Sequence, residues 1–478
     1  MKDNSIIVAP SISWWGIGLS ILAANFAYDY IHVGASMGYS NGLAMGSYEW
    51  TGTLSMIVIL LFVFPRILST GVTTTPEYLG LRFGTFTRKT VAIVMIFIHI
   101  VVVMVPVLFS AAETLTKWYG LSYGVWLAIC FVVITGVLLS NNLIVLMRMN
   151  ILLIIIMIIT GIVVMFYCFH LVGGISNFAH QGAPRINAFL PSDDSTLPWH
   201  SVVFGGLWVA HAFYWSFNPF IQQFILSSRT LSKAQFAFLL TATLKIIIPF
   251  IIMVPGITLY ILKGEHYLEN SELAFPVFIT ELIPPQVSGL ILIVYLSTLL
   301  SIFSSIGFSG INLVLNDIIP ASYKNSVNEK ALYRIILLLF MLVAFTGAYF
   351  FEPLGNTGLL HYNQVIMNAL TPTIVAVFGL GLFVKRITTL SANTALLTSI
   401  PLFLLMRFLC PSLDMLNTGG IVFLIETCIM ITMSFVFPQK IKRKVVMVKE
   451  IRFERHLLVI TWSILLVTLV MSVYVILL

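Results

Sequence analysis

"AANFAYDYIHVGASMGYSNG", residues 23–42, interrupts an apolar run with Asn25, Asp29 and a series of small residues. "GGLWVAHAFYWSFNPF", residues 205–220, does the same with Gly205, Gly206, His211, Asn218 and Pro219. A segment long enough to cross a bilayer yet poorly helical at its centre frees backbone groups, and these survive at membrane depth only around a cavity or an ion. Both stretches therefore read as discontinuous spans.

The surroundings fit that reading. The chain has 478 residues, 59% of them hydrophobic and 9% charged, and its mean hydropathy of +1.02 lies far outside the soluble range. About thirteen stretches reach the roughly 20 mostly apolar residues that a span needs: 12–35, 43–65, 87–114, 121–142, 144–172, 200–226, 232–262, 286–317, 330–351, 358–384, 388–408, 418–437 and 456–478. The interrupted ones are the first and the sixth. Two five-span units, each opening on a broken helix, are the pattern of an inverted-repeat secondary transporter. The expected organisation is an all-α core over 1–387, with a first repeat at about 12–172 and a second at about 200–387, followed by three peripheral helices over 388–478.

The formal charge of +7 does not call for nucleic acid, because the cations mark one side of the membrane. With the N-terminus inside, alternate loops hold Arg66, Arg82, Arg88, Lys89, Arg229, Lys233, Lys324, Lys330, Arg334, Lys385, Arg386 and the run "QKIKRKVVMVKEIRFERH", 439–456. The opposite loops hold only Lys117, Arg185, Lys263 and Arg407. This predicts a cytoplasmic N-terminus, an external C-terminus and a bacterial-type inner membrane. Cys130, Cys168, Cys410 and Cys428 lack paired spacing, so neither a disulfide framework nor a zinc site is expected. The start, "MKDNSIIVAPSISWWGIG", has no leader with a small-residue cleavage site. No Gly-rich phosphate loop, "HExxH" pair or nucleophile elbow is present, which argues against an enzyme. What stands out instead is a set of polar groups at membrane depth, costly unless partnered or wet: Asp29, Glu49, His99, Arg148, His211, Lys245, Gln364 and Glu426.

At these residues a resemblance becomes specific. "WWGIGLSILAANFAYDYIHVGASMGYSNGLAMGSYEW" (14–50), "TTTPEYLGLRFG" (73–84), "GGLWVAHAFYWSFNPFIQQFILSSRTLSKAQ" (205–235), "LKIIIPFIIMVPGITLYIL" (244–262) and "LTPTIVAVFGLGLFVKR" (370–386) resemble the solute:sodium symporter family, nearest its bacterial sodium/galactose symporters. The likeness covers nearly the whole chain. It implies the LeuT-type fold, a ten-helix core of five plus five. The extra helix that precedes the first core helix in that family has no counterpart here, hence thirteen spans.

The resemblance also implies a sugar site. Glu49 in "SYEW" matches a carboxylate that accepts sugar hydroxyls, Lys245 in "TLKIIIP" a donor, and Gln364 in "HYNQ" an amide that does both. Tyr214 in "FYWSF" matches the aromatic that closes the inner side of the sugar, with Trp215 and Tyr48 beside it. Tyr30 stands where the galactose symporter has glutamine, and His211 where it has asparagine. Read without the resemblance, an acid and a lysine on separate helices make a buried structural ion pair equally well.

The sodium site is where the chain leaves its family. The carbonyls that hold sodium there map to Ala23, Phe26 and Thr298, and a pair of serine hydroxyls maps to Ser301 and Ile302. An isoleucine side chain cannot ligate a hard cation, which needs oxygens. "LIVLMRMN" (143–150) aligns with a segment in which an aspartate near the sodium exit follows a threonine, which puts Met147 and Arg148 at those positions. Arg148 then either supplies a built-in positive charge in the old ion site or snorkels to water at the end of its span.

The expected function is alternating-access transport of a monosaccharide or similar polyol, with no cofactor, no sodium requirement and no obligate protein partner, in contact with lipid and not nucleic acid. The alternatives are sodium-coupled symport through a rearranged site, and a membrane sugar sensor that binds without moving its ligand.

Overall fold

The computed structural model describes residues 13–25, 28–139, 143–194, 196–228, 230–268, 270–324, 327–351, 358–438 and 457–478. The basic run 439–456, Arg229 and the side chains of Phe26, Asp29 and Tyr30 lie outside what it describes.

The first span is built from α1 (Trp14–Asn25) and α2 (Tyr28–Ser40), and α3 (Ser47–Phe62) returns across the layer. A short helix, α4 (Thr75–Phe83), precedes α5 (Thr85–Phe97), which continues through a π-helical turn into α6 (Val105–Tyr119). Then come α7 (Tyr123–Leu139) and α8 (Leu143–Leu171). The sixth span consists of α9 (Leu207–Ala212), a π-helical turn over Phe213–Phe217, and α10 (Pro219–Leu226). The remaining helices are α11 (Leu231–Lys263), α12 (Ala274–Glu281), α13 (Pro285–Leu313), α14 (Glu329–Tyr349), α15 (Gly358–Phe383), α16 (Thr389–Leu409), α17 (Met415–Val436) and α18 (Leu457–Ile476). Ten helical segments among the described residues are long and apolar enough to cross a membrane. The other three expected spans are the short apolar α7 and the two assembled from shorter helices, the first and the sixth.

The break in the sixth span has a local cause. Pro219 cannot continue the helix from the preceding turn, Asn218 leaves helical geometry at ψ 119°, and its side chain accepts the Phe220 N–H to start α10. Between lipid-embedded helices there is no hydrophobic drive to associate, so close packing of small residues takes over. A Cβ on Gly256 of α11 would fall 1.9 Å from the Ala35 carbonyl oxygen of α2, and one on Gly38 would fall 2.2 Å from that of Met253. This contact locks α2, the second half of the broken first span, against the long buried helix α11.

The three C-terminal helices do not form a bundle of their own. α17 packs between α16 and α15 and also meets α9, whereas α18 lies against α3 and α11.

Candidate functional site

Polar groups that the apolar spans cannot leave bare converge where the first span breaks. Lys245 on α11 and Glu49 on α3 are 1% and 2% exposed and form an ion pair. The Lys245 ammonium also donates to Asn25 Oδ1 at 3.0 Å, at the end of α1. Asn25 Nδ2 in turn donates to the Tyr214 hydroxyl at 2.9 Å. The ammonium sits 4.5 Å from the centre of the Trp215 ring, a cation–π contact. Tyr214 meets Trp215 edge-on with centroids 4.9 Å apart. Four helical elements thus deliver a donor, a carboxylate, an amide and two aromatic faces to one place. Asn25 is the junction of this network, and only its position in the interrupted stretch signals it in the sequence.

His211 is buried one layer away, its Nε2 2.9 Å from Thr51 Oγ1. Gly52 makes room for it, since a Cβ there would lie 3.3 Å from both His211 Cε1 and Trp215 Nε1. Gln364 on α15 donates to the Tyr48 hydroxyl at 2.8 Å, and Asn368 donates to the Gln364 carbonyl at 2.8 Å. Gln364 forms part of the wall of a cavity of about 610 Å³, which Asp193, Asp194, Thr196, His200, His361, Arg407 and Asp414 also line. The cavity opens at the end of the molecule where α15 begins.

The opposite end is closed by α4. Thr75 donates to the Phe217 carbonyl at 3.1 Å, just before the break in the sixth span. Tyr78 donates to the Gly381 carbonyl at 2.9 Å, and Arg82 to the Ile387 carbonyl at 3.0 Å, both at the far end of α15. Thr74 and Arg88 both bond Asp317, at 3.0 and 2.7 Å, beyond α13. The hydrogen bonds of α4 and the cavity beside Gln364 thus lie at opposite ends of α15.

Arg148 lies outside this arrangement, which goes against the first of its two readings, a positive charge placed in the old ion site. Its side chain is exposed, on the stripe of α8 that also exposes Leu152, Ile155, Ile159 and Phe166. The buried stripe is Asn150, Ile154, Met157, Thr160, Val164 and Cys168. Two residues turn a helix by about 200°, so Arg148 and Asn150 face nearly opposite ways. Asn150 donates to Ser304 Oγ of α13 at 3.3 Å. The exposed side chain of Arg148 therefore faces away from the buried stripe that carries Asn150.

Near Asn150 two of the expected ion ligands, Ser301 and Ala23, are tied to each other. Ser301 donates to the Ala23 carbonyl at 3.1 Å, Ser304 to the Ser301 carbonyl at 2.8 Å, and Thr298 to the Tyr295 carbonyl at 2.8 Å. Ile302 is buried beside them. Ser305 Oγ is buried with no hydrogen-bond partner among the described residues.

The profile of the sodium:solute symporter family matches residues 6–399. The chain belongs to the sodium:solute symporter family. Within it, this symporter homologue is 25% identical over 443 residues to the sodium/glucose cotransporter of Vibrio parahaemolyticus, covering 87% of this chain and 81% of the relative. It is 28% identical over 423 residues to sodium/glucose cotransporter 1 of Oryctolagus cuniculus, of which it spans 64%. It is 27% identical over 412 residues to sodium/myo-inositol cotransporter 2 of Homo sapiens, of which it spans 60%. Among solved structures, the substrate-bound, outward-open Na+-coupled sialic acid symporter superposes with a TM-score of 0.79 at 16% identity, covering 92% of this chain and 93% of that one. Inward-facing Mhp1 gives 0.51 at 14%, covering 89% and 90%. The fold is the LeuT type, and the protein is a multi-pass membrane transporter, not an enzyme.

Proposed function

We propose that this family member carries a monosaccharide or similar polyol by alternating access and needs no sodium to do so. The observation that carries the sugar reading is the buried network of Asn25, Glu49, Lys245, Tyr214 and Trp215 at the break in the first span. Its donors and acceptors suit hydroxyls, and its aromatic faces suit the apolar side of a sugar ring. Gln364 and Tyr48 form the polar pair beside the cavity, and His211 is the described position at which the set departs from the galactose symporter. The sugar and inositol cotransporters among its relatives support the same class.

Sodium independence is supported by what surrounds Asn150. Ile302 offers no side-chain oxygen to an ion, and Asn150 brings no negative charge. The competing reading, sodium coupling through a rearranged site, is favoured by the uncommitted Ser305 hydroxyl and by the sodium-coupled relatives. The clasped end, which carries Arg66, Arg82, Arg88, Lys89, Lys233, Lys385 and Arg386, is assigned to the cytoplasm, with the N-terminus on that side and an inner-membrane location. No cofactor or obligate protein partner enters this scheme.

Counterflow of labelled hexoses and inositol in proteoliposomes tests both parts. Sugar uptake should be indifferent to exchanging sodium for potassium at constant ionic strength. A steep rise with sodium overturns the ion-free part and favours the rearranged site. Binding without counterflow for any of these solutes overturns transport and leaves a sensor.

A further inference from the structure

The outer end of the sixth span is held by a side chain from a helix outside the ten-span core. Asn417, in the first turn of α17, accepts the Gly206 N–H on its Oδ1 at 3.1 Å. Its Nδ2 donates to Asp414 Oδ2 at 2.8 Å and lies 2.8 Å from His200 Nδ1. Backbone and backbone are nearly in contact here, since a Cβ on Gly206 would fall 1.6 Å from the Leu416 carbonyl oxygen. Asp414 in turn caps α17 through the Asn417 N–H at 2.9 Å and accepts from Ser201 Oγ at 3.2 Å. His200 Nε2 is 3.2 Å from the Ser192 carbonyl oxygen.

The orientation of the Asn417 amide is over-determined. A backbone N–H can only donate, so the atom that meets Gly206 is the amide oxygen. A carboxylate can only accept, so the atom that meets Asp414 is the amide nitrogen. That nitrogen also faces His200 Nδ1, which must therefore be the bare, accepting nitrogen of a neutral ring, with Nε2–H donating to Ser192. A second proton on the ring would set Nδ1–H against the amide N–H.

We propose that Asn417 is a positioning residue for the broken sixth span, and that protonation of His200 releases it. The protonated ring turns Asn417 over, which sets an NH2 against the Gly206 N–H, or swings to the Asp414 carboxylate and displaces the amide. Either way Gly206 loses its acceptor. Histidine is the side chain whose charge changes between about pH 5 and 8. The ring with one proton keeps the latch, and the ring with two opens it. The charged and titratable groups around His200 are Asp193 and Asp194 on its own loop, Asp414 on α17, Arg407 on α16 and His361 on α15. The Trp199 ring lies 5.9 Å away.

The test reads the Gly206 amide itself. Hydrogen exchange of the peptide spanning 204–209 is followed by mass spectrometry on the full chain in nanodiscs at pH 7.5 and 5.5, corrected for intrinsic exchange. Protection should fall on the order of tenfold at the lower pH, the loss of one hydrogen bond. His200→Asn keeps an acceptor toward Asn417 and should hold its protection at both values. Asn417→Asp presents a carboxylate to both neighbours and should reverse the sign, protecting Gly206 better at pH 5.5. Equal wild-type protection at the two pH values overturns the proposal, as does a His200→Asn chain that keeps the wild-type pH dependence.

Discussion

Lys245 has no water to fall back on, because Glu49, Asn25 and the Trp215 ring occupy its surroundings. Removing one charge of a buried pair leaves the other uncompensated, which costs about 3–5 kcal/mol. Lys245→Met and Glu49→Leu should each lower the melting temperature in detergent strongly, while the double variant should be less destabilised than either. Additive losses in that cycle would mean that the two side chains are not coupled. Arg148 and Asn150 make a second paired comparison. Arg148→Gln, on the exposed stripe, should change stability by less than about 0.5 kcal/mol and leave uptake intact. Asn150→Leu removes the donor to Ser304 Oγ, which keeps its own bond to the Ser301 carbonyl, and should cost about 0.5–1.5 kcal/mol. The outcome was not legible in "LIVLMRMNILLIIIM", because a run apolar on every side carries no periodicity that names its inner face. The Ser304 hydroxyl, more than 150 residues away in sequence, sets that face.

At the scale of elements, the glycines that bring helices together are the sensitive points. Gly206→Ala drives a methyl into the Leu416 carbonyl and should push α9 and α17 apart, abolishing transport or folding. Gly136→Ala in α7 meets nothing within 4 Å and should stabilise by up to about 1 kcal/mol. Melting of the two variants side by side checks both. The spans themselves and the two interruptions could be read from apolar length and from Asn25, Asn218 and Pro219. The link between α17 and the sixth span could not, since Asn417 and Gly206 are ordinary residues until the fold places them 3.1 Å apart.

For the whole molecule, the clasp around α4 and the open cavity lie at opposite ends of α15, and the cations gather at the clasp. Single cysteines at residue 3 and at Thr196, in a cysteine-free background, should be labelled from the cytoplasmic and external sides respectively. Labelling of residue 3 from outside only would reverse the orientation. Ten of the thirteen expected spans, as long apolar helices among the described residues, and the LeuT-type fold were legible in composition, spacing and resemblance. The side of each helix that faces the pathway depended on partners distant in the chain.

The ion pair between Lys245 and Glu49 bears on turnover. A carrier whose empty site leaves two bare charges in a dry interior is slow to swing back unloaded, and so performs mainly exchange. Here each charge is the other's stand-in ligand once the solute has left, and the unloaded form is as neutral as the loaded one. Net efflux of labelled sugar into solute-free buffer should then run at a rate comparable to efflux against unlabelled sugar. A large stimulation by sugar on the far side would show that the pair does not ease the return.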